Sequence, residues 1–103
     1  MHHIHHRDFE VVVLSDGKWS TDDDNIDINV YVNDGKRYSA TLFTPKNIAM
    51  LLEKYEKSGE CARGTFVWAV EMIILKDLSK ESILTTVDAL LRTGEIEFAM
   101  TRI

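Results

Sequence analysis

The sequence predicts an α+β domain in which two helices cover one face of a largely antiparallel sheet, in the order β-β-β-α-β-α-β. Three observations support this fold class. Short segments of alternating or continuous apolar residues indicate strands, two segments have apolar residues at helical spacing, and Asp-Gly or single glycine residues separate them. The chain has 103 residues with 45% hydrophobic content, which is typical of one globular domain.

The N-terminal segment, residues 1–7, contains all four histidines and is interrupted only by Ile4. It resembles an affinity tag, although a native terminus fits equally well, and we expect it to be a disordered tail outside the domain of residues 8–103. Phe9–Leu14 then predicts a first strand that ends at the Ser15-Asp16-Gly17 turn.

The second and third strands form a predicted hairpin. Residues 26–32 alternate between apolar and polar, and residues 37–44 follow after Asn33-Asp34-Gly35. A three-residue loop places Ile28 opposite Ala40, whereas a two-residue loop would place apolar residues opposite polar ones. Because a shift of one residue moves every side chain to the other face, we predict the three-residue loop, with Gly35 in a left-handed conformation.

Two amphipathic helices follow from capping residues and apolar spacing. Thr44-Pro45 begins the first helix, whose apolar stripe is Ile48, Leu51, Leu52 and Tyr55, and Gly59 ends it. Ser79 begins the second, with a stripe of Ile83, Val87, Leu90 and Leu91, and Gly94 ends it.

Two further strands complete the prediction. Residues 66–75 are almost entirely apolar, which is typical of a central strand with both faces covered, and this places Trp68 in the core. The alternation in residues 95–101 predicts a final strand. Exposed at the edge of the sheet, that strand could also pair two copies of the chain in a homodimer.

Charge is unevenly distributed. Residues 1–36 contain eight acidic and three basic residues, net −5, whereas residues 37–103 contain nine of each. Such an acidic region disfavours nucleic acids and anionic membranes and favours a basic protein partner. No apolar run approaches the roughly 20 residues that span a bilayer, and one cysteine permits no intrachain disulfide. We therefore expect a cytoplasmic protein.

Catalytic motifs are absent from the sequence. No histidine lies beside Cys61 or a serine within the predicted fold, and the five glycines match no phosphate-binding loop. We predict no catalytic residue, no metal and no cofactor. A calcium loop beginning at Asp23 would have Asp27 at position 5, but Ile28 replaces the required glycine at position 6.

The predicted partner-binding surface combines acidic residues of the 20–25 loop with the outward side of the second strand and the following turn. Its residues are Asp22, Asp23, Asp24, Asp27, Asn29, Tyr31 and Asp34. The competing interpretation is that aspartates occupy turns for conformational reasons alone. A rival function is a small enzyme or ligand-binding subunit that uses Glu71, Glu97 or Asp27 in a cleft between sheet and helices. For Glu71 we favour a structural role at the rim of the sheet.

Residues 37–48, Arg-Tyr-Ser-Ala-Thr-Leu-Phe-Thr-Pro-Lys-Asn-Ile, together with Leu52–Tyr55, Trp68-Ala69 and Asp77-Leu78-Ser79, carry a resemblance. Over roughly residues 37–100 the chain resembles small uncharacterised bacterial proteins. Some acidic α+β proteins of this size are immunity proteins, which neutralise toxins delivered between neighbouring cells. The resemblance implies a bacterial cytoplasmic protein and brings no catalytic signature. The sequence therefore favours a non-enzymatic, immunity-like or antitoxin-like binding module.

Overall fold

The protein is an α+β fold built on a six-stranded, largely antiparallel sheet. It is described from a computed structural model that covers residues 1–103. Along the sheet the order is β1-β2-β3-β4-β5, and β6 also pairs with β4. The strands are β1 (His2–His5), β2 (Phe9–Val13), β3 (Asn25–Val32), β4 (Arg37–Phe43), β5 (Met72–Ile74) and β6 (Thr101–Arg102). Only β4 and β5 pair in parallel.

Four helices connect or follow these strands, two more than the sequence predicted. They are α1 (Pro45–Ser58), α2 (Glu60–Gly64), α3 (Lys80–Thr93) and α4 (Ile96–Ala99). The predicted caps of the two long helices are confirmed. Thr44 accepts a hydrogen bond from the backbone N–H of Asn47, and Ser79 accepts one from Ser82. Both helices end at a glycine in the left-handed conformation, Gly59 and Gly94.

The predicted hairpin register is confirmed. Ile28 pairs with Ala40 across β3 and β4, and Gly35 has a φ of 97° in the connecting turn. Ile28 and Val30 therefore point to the core, whereas Asp27, Asn29 and Tyr31 point to the opposite face.

The histidine-rich segment differs from the expected disordered tail, because residues 2–5 form β1 along the edge of the sheet. Ile4 pairs with Val11 and is buried, which gives this strand an apolar anchor in the core. His3 and His5 flank Ile4 and are exposed, whereas His2 is half-buried. Ile4, the residue that interrupts the histidine run, is therefore the one that anchors the strand.

The hydrophobic core lies between one face of the sheet and α3. Sheet residues such as Val11, Ile28 and Leu42 meet Ile83 and Val87 of α3, and Leu75 and Leu78 close one side. No residue of α1 is buried, and none belongs to the core cluster. Of the two predicted covering helices, only α3 contributes buried side chains to the core.

The prediction of one covered strand over residues 66–75 is wrong except at its end. Only Met72–Ile74 form a strand, and Trp68 is 67% exposed rather than buried. The reason lies in β4, whose free edge is divided. Its residues 41–43 pair with β5, whereas Tyr38 and Ser39 pair with β6. Residues 66–71 therefore have no strand partner.

The prediction of a final strand over residues 95–101 is also wrong. Residues 96–99 form α4, and only Thr101–Arg102 pair with the sheet. Ile96 and Met100 are buried, while Phe98 is 92% exposed. Residues four apart lie on one side of a helical turn as well as one side of a strand, so their spacing did not distinguish the two. The edge strand proposed for a homodimer thus shrinks to two residues. No helix is both long and apolar enough to cross a bilayer.

Candidate functional site

The face of the sheet opposite α3 carries the polar residues predicted to contact a partner. Thr41 Oγ1 donates a hydrogen bond to Asp27 Oδ1 at 2.7 Å, and Asn29 Nδ2 lies 3.4 Å from the hydroxyl of Tyr31. The Arg37 guanidinium sits 5.6 Å from the centre of the Tyr31 ring, within range of a cation–π interaction. These contacts order the side chains into one polar surface.

The loop that precedes β3 places its acidic residues beside the beginning of α1. Asp22 Oδ2 lies 3.4 Å from Lys46 Nζ, and Asp23 Oδ1 accepts a hydrogen bond from Asn47 Nδ2 at 3.4 Å. Helix α1 has no acidic residue in its own first turn. The loop therefore supplies the negative charge that stabilises a helix N-terminus.

Hydrogen bonds within the same loop set its shape. Asp24 accepts from the backbone N–H groups of Ser20 and Asn25, at 3.0 and 2.9 Å. The Ser20 hydroxyl donates to Asp22 at 2.9 Å; this bond, followed by the charge of Lys46, holds the pKa of Asp22 below its usual value. These aspartates thus act in loop structure, and their outward oxygen lone pairs remain available to a partner.

The structure does not bring all seven predicted contact residues together. Asp22, Asp23 and Asp24 lie at one end of the β3–β4 hairpin, next to Asp27. Asp34 lies in the turn at the other end, roughly 25 Å away along β3, where its carboxylate is 3.7 Å from Lys36 Nζ. The contact surface therefore consists of the loop and the outward residues of β3, without Asp34.

A small cleft lies within this surface, between the end of β2 and the beginning of β3. Its volume is about 190 Å³, and Asp24 and Asp27 contribute to its walls with Leu14 and Ser15. Asp27 lines this cleft from the face of the sheet opposite α3. The cleft offers carboxylate oxygens to a cationic group.

The three carboxylates of the enzyme hypothesis do not converge. Glu97 accepts a hydrogen bond from the buried hydroxyl of Tyr38 at 2.6 Å and forms an ion pair with Arg102. The Tyr38 hydroxyl and Arg102 lower the pKa of Glu97, and the same contact with Glu97 raises the pKa of Tyr38. Tyr38 belongs to the core side of β4, so this group fastens the C-terminal segment to the sheet.

Glu71 has the structural role that we favoured. Its side chain accepts hydrogen bonds from Ser39 Oγ at 3.4 Å and Thr101 Oγ1 at 2.7 Å, and its carbonyl accepts from the Thr41 N–H at 3.1 Å. Ser39 and Thr101 belong to β4 and β6. Glu71 thus joins the two strands at the point where the β4 edge changes partner, and its φ of 46° lies in the left-handed region.

Two groups of side chains could hold a metal ion. Ligand atoms of His6, Asp8 and Asp88 lie within 4.8 Å of one another. However, His6 Nδ1 already accepts the Asp8 backbone N–H at 3.0 Å, and Asp88 forms an ion pair with Arg92 at 3.1 Å. An ion would compete with these contacts for Nδ1 of His6 and Oδ2 of Asp88.

The second group lies on the face of the sheet opposite α3. His3 Nδ1 and His5 Nδ1 approach the two oxygens of Glu10 at 3.2 and 3.0 Å. His-X-His spacing on a strand places both imidazoles on the same face. The carboxylate accepts a hydrogen bond from His3 and lies within ion-pair distance of His5, so it already contacts both rings.

An exposed apolar surface, which the sequence interpretation missed, lies on the segment between α2 and β5. Phe66, Trp68 and Val70 are 46%, 67% and 63% exposed. We call these three residues the apolar row. The continuous apolar composition of residues 66–75 suggested burial; Glu71 and the flanking Gly64 were the signals that the segment leaves the sheet.

No family model, curated protein or solved structure matches this chain. The function is therefore inferred from the residues and surfaces described above.

Proposed function

We propose that this chain is a non-enzymatic protein-binding module of the bacterial cytoplasm, an inhibitor of the immunity or antitoxin kind that covers a basic partner. The observation that carries the proposal is the apolar row. Large exposed side chains grouped on one segment are typical of interaction surfaces, and tryptophan is among the residues that contribute most to binding energy.

The acidic residues provide the second part of the proposal. The loop with Asp22, Asp23 and Asp24 belongs to the region of net charge −5, and Asp27 lies beside it. A surface of one sign accelerates the association of a partner of opposite sign and does so most strongly at low salt. In this proposal the acidic loop governs the association rate, and the apolar row governs how long the complex persists.

The experiment measures binding kinetics with the products of the genes that flank this one, each purified and tested in turn. The four-site variant with Asn at positions 22, 23, 24 and 27 should associate about tenfold more slowly at low salt, and the difference should shrink at high salt. Trp68→Ala should instead raise the dissociation rate by about tenfold or more. Asp34→Asn removes a charge at the other end of β3, away from the surface, and serves as the control.

Two outcomes would contradict the proposal. An association rate that the four-site variant leaves unaltered at low salt would reject the electrostatic part. If no flanking gene product is both bound and inhibited, the immunity function is rejected. Melting curves check that each variant stays folded, because Asp24 accepts two backbone hydrogen bonds in the loop.

A further inference from the structure

A cavity of about 320 Å³ lies beside the N-terminus of α3 and adjoins the acidic loop through Thr21. Its walls come from β1, from the segment that follows β2 and from the beginning of α3. Trp19 provides its exposed apolar surface, because Leu78, the other apolar residue of the lining, is fully buried. Cavities of this size are at the lower end of those that hold small ligands.

The indole of Trp19 is held in one orientation. Its Nε1 donates a hydrogen bond to the carbonyl of Leu78 at 2.7 Å, and the ring packs against the core. The imidazole of His2 meets the ring edge-on, with centroids 5.1 Å apart. Trp19 is only half-buried, so part of a large, fixed aromatic surface remains uncovered within the cavity. A flat apolar group can pack against such a surface without reorganising it.

The charged groups that line the cavity are basic. Lys18 and Lys80 contribute to its wall with His2, and no carboxylate does. Neither lysine forms an ion pair, although the chain has a net charge of −5. Asp22 follows the lining residue Thr21 in sequence and contacts Lys46. Asp77 accepts the backbone N–H of Ser79, and Glu81 lines a different cavity.

Ser79 caps α3 and lines the cavity, but the carboxylate of Asp77 accepts its backbone N–H, so negative charge already lies at this helix N-terminus. The two lysines are therefore the groups that favour an anionic ligand.

We propose that this cavity binds a small aromatic anion, whose ring packs against Trp19 while its carboxylate or phosphate group lies near Lys18 and Lys80. The apolar wall and the basic groups are both required. A neutral aromatic would lack the ionic contacts, and an inorganic anion would lack the aromatic ones. The site is independent of the protein-binding function proposed above.

The test uses the Trp68→Phe variant, which leaves Trp19 as the only indole. The ¹⁵N-labelled protein is titrated with phenyl phosphate and with benzoate, and the indole N–H signal of Trp19 is followed by NMR. Phenol and inorganic phosphate are the matched probes that lack one half of the ligand. We expect saturable shifts with at least one aromatic anion, at concentrations about tenfold below those needed for phenol or inorganic phosphate.

Substitution of both lysines tests the ionic contacts. Lys18→Gln with Lys80→Gln should weaken binding about tenfold, whereas Lys54→Gln with Lys57→Gln on α1 removes the same charge elsewhere and should leave it unchanged. All four side chains are exposed, so both variants should fold. Shifts that do not saturate, equal affinity for phenol or inorganic phosphate, or binding that survives loss of Lys18 and Lys80 would overturn the proposal.

Discussion

Residues 1–44 and residues 45–71 use similar apolar content in opposite ways. The first region forms β1 to β4 and provides most of the buried core, including Val11, Ile28 and Leu42. The second region, α1, α2 and the apolar row, contains no buried residue. The apolar stripe of α1 is therefore only partly covered. Whether such a stripe is buried depends on whether the fold places another apolar surface against it.

The largest expected effect is a difference in how much the free energy of unfolding falls when an apolar side chain is truncated in the core and in α1. Ile28→Ala and Leu78→Ala each remove a fully buried side chain and should lower the free energy of unfolding by about 2–5 kcal/mol. Leu52→Ala in α1 truncates a half-buried residue and should cost less than about 1 kcal/mol. Urea denaturation measures all three. Equal costs would show that α1 is as firmly packed as the sheet.

A second prediction concerns Gly64, where α2 meets α1. A Cβ built there would lie 2.2 Å from the carbonyl oxygen of Leu52 and 2.8 Å from the backbone nitrogen of Glu56. Its φ of 76° also favours glycine. Gly64→Ala should therefore detach α2 from α1 and speed hydrogen exchange throughout residues 59–71, while exchange in β2 to β4 stays slow. Gly17→Ala, which meets nothing within 4 Å, is the control.

A third prediction exploits the left-handed turn within α2. Cys61, Ala62 and Arg63 have φ of 49°, 50° and 58°, a conformation that costs side-chain-bearing residues about 1–2 kcal/mol each. Ala62→Gly should remove most of this conformational cost at residue 62 and raise the free energy of unfolding by up to about 1 kcal/mol. Thermal melting measures it. A lower melting temperature would mean that the turn is not strained.

The smallest expected effect is a pH dependence at the N-terminus of α3. Hydrogen bonds from Ser79 lower the pKa of Asp77 from 3.8 to about 2. A lowered pKa means that the unfolded chain binds the proton more readily, so the stabilisation is complete above pH 3.8 and is lost as the pH falls towards 2. Asp77→Asn should reduce stability at neutral pH and flatten the decline between pH 4 and 2. An unchanged acid limb in that variant would refute the assignment.

The elements that the sequence predicted correctly are those whose signals are local. Helix caps at Thr44 and Ser79, left-handed glycines at 59 and 94, and the β3–β4 register depend on neighbouring residues or on one short turn. The failures depend on distant pairing. Glu71 marks where the segment leaves the sheet, but nothing within residues 66–75 reveals that β6, from the C-terminal segment, occupies the rest of the β4 edge.

For the candidate surfaces, too, the predictions were correct where the signal is local and incomplete where it depends on distant contacts. Alternation in β3 correctly predicted that Asp27, Asn29 and Tyr31 share the face opposite the core. It could not predict that Asp22 and Asp23 lie at the N-terminus of α1, since that contact joins residues more than 20 positions apart. The cavity at Trp19 likewise requires β1, a segment that composition alone assigned to a disordered tail.

One edge of β4 is shared by β5 and β6, and this has a consequence for self-association of the protein. Thr101 and Arg102 pair with the Tyr38–Ser39 end of that edge, and the Ile103 N–H donates to the Arg37 carbonyl beside them. Two side-chain contacts hold this segment: the hydroxyl of Thr101 donates to Glu71, and Arg102 forms an ion pair with Glu97. Were the last few residues to peel away, the backbone groups of that half-edge would be open to another chain while β5 still protected the remainder. Clipping or fusion at the C-terminal end should accordingly favour self-association well before the hydrophobic core loosens.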